Sequence, residues 1–284
     1  MKLNNNKEKK NSHTLKAYDN KNFLHSKDSR ILRILAEYMY PEQRFKTLGV
    51  KRTIIFFGSA RIEPKDIIEK QIEKLQAKID LSTKESDKMK LEFEVLNNKL
   101  FLSRFYDEAK DLSFKLTKWS LDLPTKEKIH ITTGGGPGIM EAANRGSQEA
   151  GGQSIGLNIS LPFEQKPNPY IHENLNFEFH YFFMRKFWLV YLSQVLIVFP
   201  GGFGTIDELM EVLTLRQTNK MKSPRLVILY NEEWWRKIIN FGYLADMGMI
   251  NHQDMKLFKF VNSPEEAFEY IIGELTKNKY TKNL

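Results

Sequence analysis

The chain has 284 residues, 41% hydrophobic and 12% aromatic, enough to bury the core of one large α/β domain or two small ones. The absence of cysteine excludes disulfides, a thiolate zinc site and a cysteine nucleophile, and fits a reducing cytoplasm. The formal charge is +8, but residues 1–28 hold seven lysines against Glu8, Asp19 and Asp28, and Lys277, Lys279 and Lys282 lie in the tail, so the body is close to neutral and no nucleic-acid-binding stripe is expected.

Residues 1–28 are rich in Asn and Lys without apolar periodicity and are expected to form a disordered basic arm. The start, "MKLNNNKEKK", has no apolar stretch behind it and so does not resemble a secretory signal. From Ser29, Ile31, Leu32, Leu35 and Met39 recur at helical spacing, which predicts a helix ending near Pro41. Short apolar runs then follow at 53–57, 128–132, 154–159, 175–181, 195–199, 225–230 and 257–261. Helical patterns separate most of them, at 137–150, 182–193, 205–219, 233–246 and 264–275. Such alternation predicts a doubly wound, mostly parallel α/β sheet with helices on both faces. No second core is evident, so residues 29–276 are expected to form a single domain, with 277–284 as a basic tail.

The stretch 62–100 departs from the pattern. It is dense in Lys and Glu, with Ile and Leu every three to four residues, and predicts a charged helical insertion broken near Ser82 and Thr83. No apolar run reaches the ~20 residues of a membrane span.

Ligands of doubly wound sheets bind beyond the carboxyl ends of the strands, where helix N-termini converge. The glycines gather at those places. Gly58 follows the first strand in "FFGSARI", Gly134, Gly135, Gly136 and Gly138 follow the second in "ITTGGGPGIMEAANRG", and Gly201, Gly202 and Gly204 follow the fifth in "VLIVFPGGFGTIDELME". Glycine turns expose backbone N–H groups, and an anion is what such groups bind. The spacing fits neither the dinucleotide fingerprint nor a Walker A loop, which leaves a mononucleotide or sugar phosphate.

Thr205 and Glu208 have the spacing of a capping box, a purely structural role. A carboxylate at a glycine-lined crevice also suits acid–base or charge-stabilising work, and the sequence leaves both readings open. Arg185 and Lys186 are adjacent, so one faces the crevice and the other turns away. The six histidines show no metal-binding spacing, and no metal site is expected.

Together "GGGPGIM" (134–140), "MRK" (184–186) and "PGGFGTIDE" (200–208), with "FGSAR" as a first element, resemble the LOG (Lonely Guy) family, long catalogued as possible lysine decarboxylases. The context "FEFHYFFMRK" and "LTLRQTNK" is similar to the longer bacterial subgroup. The resemblance implies a Rossmann-like sheet and a metal-free, cofactor-free hydrolase. Such an enzyme cuts the N-glycosidic bond of nucleoside 5′-monophosphates, AMP or cytokinin riboside monophosphates, and works as a homodimer or larger homo-oligomer. Carried onto this sequence, it implies Arg185 and Glu208 as the catalytic pair. Gly58, Ser59, Gly134, Gly135, Gly136, Met140, Lys186, Gly201, Gly202, Gly204 and Thr205 would hold substrate, with Glu164 as a further contact. The alternative is a non-catalytic nucleotide or cofactor carrier on the same fold. A pyridoxal phosphate decarboxylase finds no support, because no Schiff-base lysine stands out.

Overall fold

The computed structural model describes residues 14–80, 87–161, 166–221 and 226–281. Seven strands form one sheet: β1 (Thr53–Phe57), β2 (His130–Thr133), β3 (Ile155–Ile159), β4 (Asn176–Phe179), β5 (Ser193–Val198), β6 (Leu226–Tyr230) and β7 (Lys259–Val261). All neighbours are parallel, in the order β4-β3-β2-β1-β5-β6-β7. Parallel strands covered on both faces must be apolar throughout, and β1 shows it: all five of its residues are buried.

Successive side chains of β1 enter opposite layers. Ile55 and Phe57 join one core cluster, while Ile54 and Phe56 join the other. The first layer is completed by α2 (Arg30–Leu48), α6 (Phe182–Tyr191), α7 (Phe203–Gln217), α8 (Glu232–Ile238) and α9 (Phe241–Asp246). The second is completed by α4 (Asp87–Leu121), α5 (Ile139–Glu149) and α10 (Pro264–Thr281). The sheet is therefore doubly wound and Rossmann-like, with every pairing parallel.

Three features depart from the sequence expectations. The helix expected to stop at Pro41 runs on to Leu48, where Gly49 closes it in the left-handed conformation. Proline has no N–H for the carbonyl four residues back, that of Glu37. Trp188 of α6 donates to this oxygen instead, from Nε1 at 3.1 Å, so tertiary packing satisfies the break. Second, the expected insertion is not separate from the core. Its first part is α3 (Lys65–Asp80), and its second is the outer half of α4, one 35-residue helix whose inner half packs on the sheet. Residues 81–86, including Ser82 and Thr83, lie outside the described residues. Third, within the stretch expected to be an arm, Ala17–Asp19 forms a 3-10 turn and α1 (Lys21–Leu24) a single helical turn. Arg33 ties this segment down by donating to the carbonyls of Leu24 and Ser26, at 2.7 and 2.6 Å. Residues 1–13 and 282–284 lie outside the described residues.

Among the described residues, no helix is long and apolar enough to cross a membrane.

Candidate active site

The chain leaves β1 toward β2 on one side of the sheet and reaches β5 on the other, so β1 and β5 flank the topological switch point. A cleft of about 760 Å³ opens there. The turns that form it are joined to one another. Ser59 N donates to the Pro200 carbonyl at 3.0 Å, and Ile139 N donates to the Ser59 carbonyl at 3.1 Å. The β1 turn is thereby clamped between the β5 turn and the start of α5.

Not all the glycines serve the cleft. A Cβ on Gly135 would lie 2.1 Å from Asn158 Oδ1, and one on Gly138 would lie 2.3 Å from the Ser59 carbonyl, so both are required by the fold's own packing. The Gly135 and Gly136 carbonyls accept from Asn168 Nδ2, at 3.1 and 3.0 Å, inside a buried network with Asn144 and Thr133. Neither residue lines the cleft. Gly202 and Gly204 are different: among the described residues nothing lies within 4 Å of a Cβ at either position, and neither has positive φ. Packing gives no reason for glycine at these two positions. Close approach of a ligand to the backbone does.

The capping-box expectation at Thr205 and Glu208 fails. Helix α7 begins at Phe203 with Gly202 as N-cap, and no side chain caps it. Thr205 is therefore inside the first turn, its hydroxyl folded over Gly201. The first residues of α7 line the cleft, and among the described residues no side chain caps their N–H groups, an arrangement suited to an anion.

Glu208, one turn on, is 4% exposed and lies 3.6 Å from Arg185 (Oε1 to the guanidinium). That distance carries charge attraction but no hydrogen bond. Glu208 Oε2 and Arg185 Nε are both buried without a hydrogen-bond partner among the described residues. Burial pushes the Glu208 carboxyl up to about 7, against the opposing pull of Lys186 and Arg185. Burial also lowers the Arg185 guanidinium, which stays charged.

Arg185 is held by a brace from outside the cleft. The Glu37 carboxylate of α2 accepts from His180 N at 2.7 Å and Tyr181 N at 3.2 Å, fixing the entry of α6. The guanidinium also lies over the Phe182 ring, 5.2 Å from its centroid.

Of the residues expected to contact substrate, Gly58, Ser59, Gly134, Met140, Gly201, Gly202, Gly204 and Thr205 line the cleft with Arg185 and Glu208. Lys186 does not. It lies between Asp207 and Glu211, at 2.7 and 2.8 Å, and faces a neighbouring cavity. Glu164 lies outside the described residues. Sequence reasoning missed Arg61, Leu189, Phe203 and Ile238, which also line the cleft. Arg61 was legible in "FGSAR"; Ile238 was not, since it arrives from the far side of β6.

The family model described as possible lysine decarboxylase matches residues 140–271 of this chain. The matched span is just under half of the chain. The match runs from the second residue of α5 into α10, taking in Arg185 and Glu208, and the β1 and β2 glycine turns precede it. A curated relative is the cytokinin riboside 5′-monophosphate phosphoribohydrolase LOG3 of Arabidopsis thaliana, 26% identical over 144 residues. That match spans 49% of this chain and 60% of the relative, less than two thirds of its length. Among solved structures, the structural-genomics target TM1055 aligns with a TM-score of 0.46 at 19% identity, over 78% of this chain and 99% of that one. The molybdenum cofactor carrier protein of Chlamydomonas reinhardtii aligns at 0.43 and 17% identity, over 79% and 99%.

The description carried by that family model does not fit the cleft. A pyridoxal phosphate decarboxylase requires a lysine for the Schiff base. No lysine lines the cleft among the described residues, and the nearest in sequence to Arg185 is engaged by two carboxylates. Nor do the described residues hold any group of three or more His, Asp or Glu placed to bind a metal ion.

Proposed function

We propose that the protein hydrolyses the N-glycosidic bond of a nucleoside 5′-monophosphate, releasing the free base and ribose 5-phosphate. The observation that carries this reading is the buried Glu208 carboxyl, which has no hydrogen-bond partner for Oε2 among the described residues and lies 3.6 Å from Arg185 in a cleft walled by open glycine turns. The relative named as a cytokinin riboside 5′-monophosphate phosphoribohydrolase supports the same reaction class.

The chemistry follows from the residue types. As the bond between C1′ and the base nitrogen breaks, its electron pair leaves with the base and positive charge builds at C1′. An ionised Glu208 stabilises that charge and receives a proton from the attacking water, whose hydroxyl bonds to C1′. The proton then passes to the base nitrogen, so the reaction sums to addition of one water. The N–H groups of Gly202 to Thr205 hold the phosphate, placing binding energy away from the reacting bond. Arg185 orients the nucleotide and offsets charge on the departing base.

A carrier for a nucleotide or cofactor needs the glycine turns but has no use for a buried acid that lacks a full set of hydrogen-bond partners. Glu208 therefore favours the hydrolase. Incubation with AMP is expected to yield adenine and ribose 5-phosphate without added metal. If chromatography returns intact nucleotide across a panel of purine and pyrimidine monophosphates, the hydrolase reading falls and the carrier reading takes its place.

Self-association belongs to the same proposal. Ile31, Leu32, Leu35 and Met39 of α2 and Phe183, Phe187 and Tyr191 of α6 are all exposed, and Tyr38 against Phe187 joins the two rows at 5.7 Å. Apolar rows of this extent are usually covered by another surface. Light scattering is expected to report at least a dimer; a monomer at micromolar concentration would rule it out.

A further inference from the structure

We propose that Arg61 reads the phosphate of the substrate and sets the preference of the site for phosphorylated over unphosphorylated nucleosides. The proposal rests on the nucleotide reading above and names the group that enforces it.

Two arginines line the cleft, and they are not equivalent. Arg185 is buried and faces the Glu208 carboxylate. Lys186, next to it, is matched by Asp207 and Glu211 and faces another cavity. Arg61 is exposed at the cleft wall, and no carboxylate or other side chain pairs with its guanidinium among the described residues. Its backbone is fixed all the same. Arg61 N donates to Ser59 Oγ at 3.1 Å, and Ser59 is itself bonded to Pro200 and Ile139. An unpaired guanidinium thus projects from a turn that is held on both sides.

Electrostatics favour such a cation. A phosphate monoester carries nearly two negative charges at neutral pH, and it would enter a cleft that already holds a carboxyl. The α7 N-terminus supplies about half a positive charge, and Arg185 is shared with the Glu208 carboxyl 3.6 Å away. Arg61 supplies the missing unit, and its planar fork can engage two phosphate oxygens at once.

The sheet order gives the site a direction. The Arg61 turn follows β1 and lies between the β2 turn at Gly134 and the β5 turn at Gly201 to Gly204. The wall beyond β5 is apolar: Ile238 closes the β6 side, and Phe203 is 94% exposed. The phosphate belongs where Arg61 and the α7 N-terminus face the same cleft, and the apolar side chains of Phe203 and Ile238 are left for the planar base.

The test compares the full chain with Arg61→Ala and Arg61→Lys, using AMP, adenosine and ribose 5-phosphate. Arg61→Ala is expected to raise KM for AMP about tenfold or more, with kcat within about twofold, and to weaken calorimetric binding of ribose 5-phosphate by a similar factor. Arg61→Lys is expected to recover part of that loss, and any weak cleavage of adenosine should be the same in all three proteins. Wild-type KM for AMP and affinity for ribose 5-phosphate retained in Arg61→Ala would overturn the proposal. Binding of ribose 5-phosphate that depends on Arg61, in a protein that leaves AMP intact, would uphold the phosphate-reading role and refute the hydrolase. Cleavage of AMP that is indifferent to Arg61 would do the reverse. Failure of the wild-type protein to bind ribose 5-phosphate or AMP would overturn both.

Discussion

Glu208→Gln is expected to lower kcat for AMP by about three orders of magnitude and, at pH 8, to make the protein more stable than the wild type. The two effects have one cause. The Glu208 carboxyl sits among groups that do not fully compensate its charge, and burial holds it near pH 7 instead of the usual 4.5. Below pH 4.5 it is protonated in both folded and unfolded chains, and it contributes nothing to the pH dependence of stability. Between 4.5 and 7 the folded protein keeps a proton that the unfolded chain has released, so stability falls as pH rises. Above 7 the fold bears the whole cost of the charge, on the order of 3 kcal/mol before relaxation of the surroundings.

Glutamine keeps the shape and removes the charge. The variant should match the wild type near pH 4.5 and exceed it by about 2 kcal/mol at pH 8, roughly 5 °C in Tm. The catalytic side has a matching signature. If the ionised carboxylate receives the proton from water, wild-type kcat/KM should rise with pH through an apparent value near 7 and then level off. A variant less stable than the wild type at pH 8 would mean that attraction to Arg185 outweighs burial, and the argument for a strained catalytic acid would collapse. A rate that falls with pH through 7 would reverse the proton's direction and make Glu208 a general acid.

Much of this site could be read from the sequence because each of its parts has a local signature. The inner strands of a parallel sheet are buried on both faces and so appear as largely apolar runs, while β4 and β7 at the edges keep exposed residues; all seven runs overlap strands. Glycine turns after strands one, two and five mark the ends that meet at the switch point. What was illegible depended on contacts between distant segments. Thr205 and Glu208 have capping spacing, but α7 starts two residues before Thr205 because Phe203 and Gly204 continue the helix. The adjacency of Arg185 and Lys186 told that one turns away, and only the acids of α7 decide that it is Lys186. The helix through Pro41 needed Trp188, some 150 positions on in sequence, to donate to the orphaned Glu37 carbonyl. Among the glycines of 134–138, sequence alone did not divide those required by packing from those open to a ligand; Asn158 and Asn168 make that division.

That division leads to the second large effect. Gly138→Ala is expected to destabilise the protein by about 4 kcal/mol, roughly 10 °C in Tm, and to remove phosphate binding from whatever remains folded. Gly138 has φ +72° and ψ −132°, a conformation that costs an L-residue on the order of 1–3 kcal/mol before any contact is counted. The added Cβ would then lie 2.3 Å from the Ser59 carbonyl oxygen and under 3 Å from two backbone atoms of Ala60. Backbone atoms have no rotamer to escape into, and Ser59 is bonded on both sides, to Pro200 and to Ile139. Relief requires the β1 turn to part from α5, carrying Arg61 away from Gly134 and from the α7 N-terminus. Gly202→Ala is the matched control. Gly202 has φ −96° with open space where the Cβ would go, so its stability should stay within about 0.5 kcal/mol of the wild type. Its methyl nevertheless projects where a ligand must approach the backbone, and affinity for ribose 5-phosphate should fall. Equal unfolding midpoints for the two variants, by calorimetry, would mean that the β1 and β2 turns are not clamped as the Ser59 hydrogen bonds require.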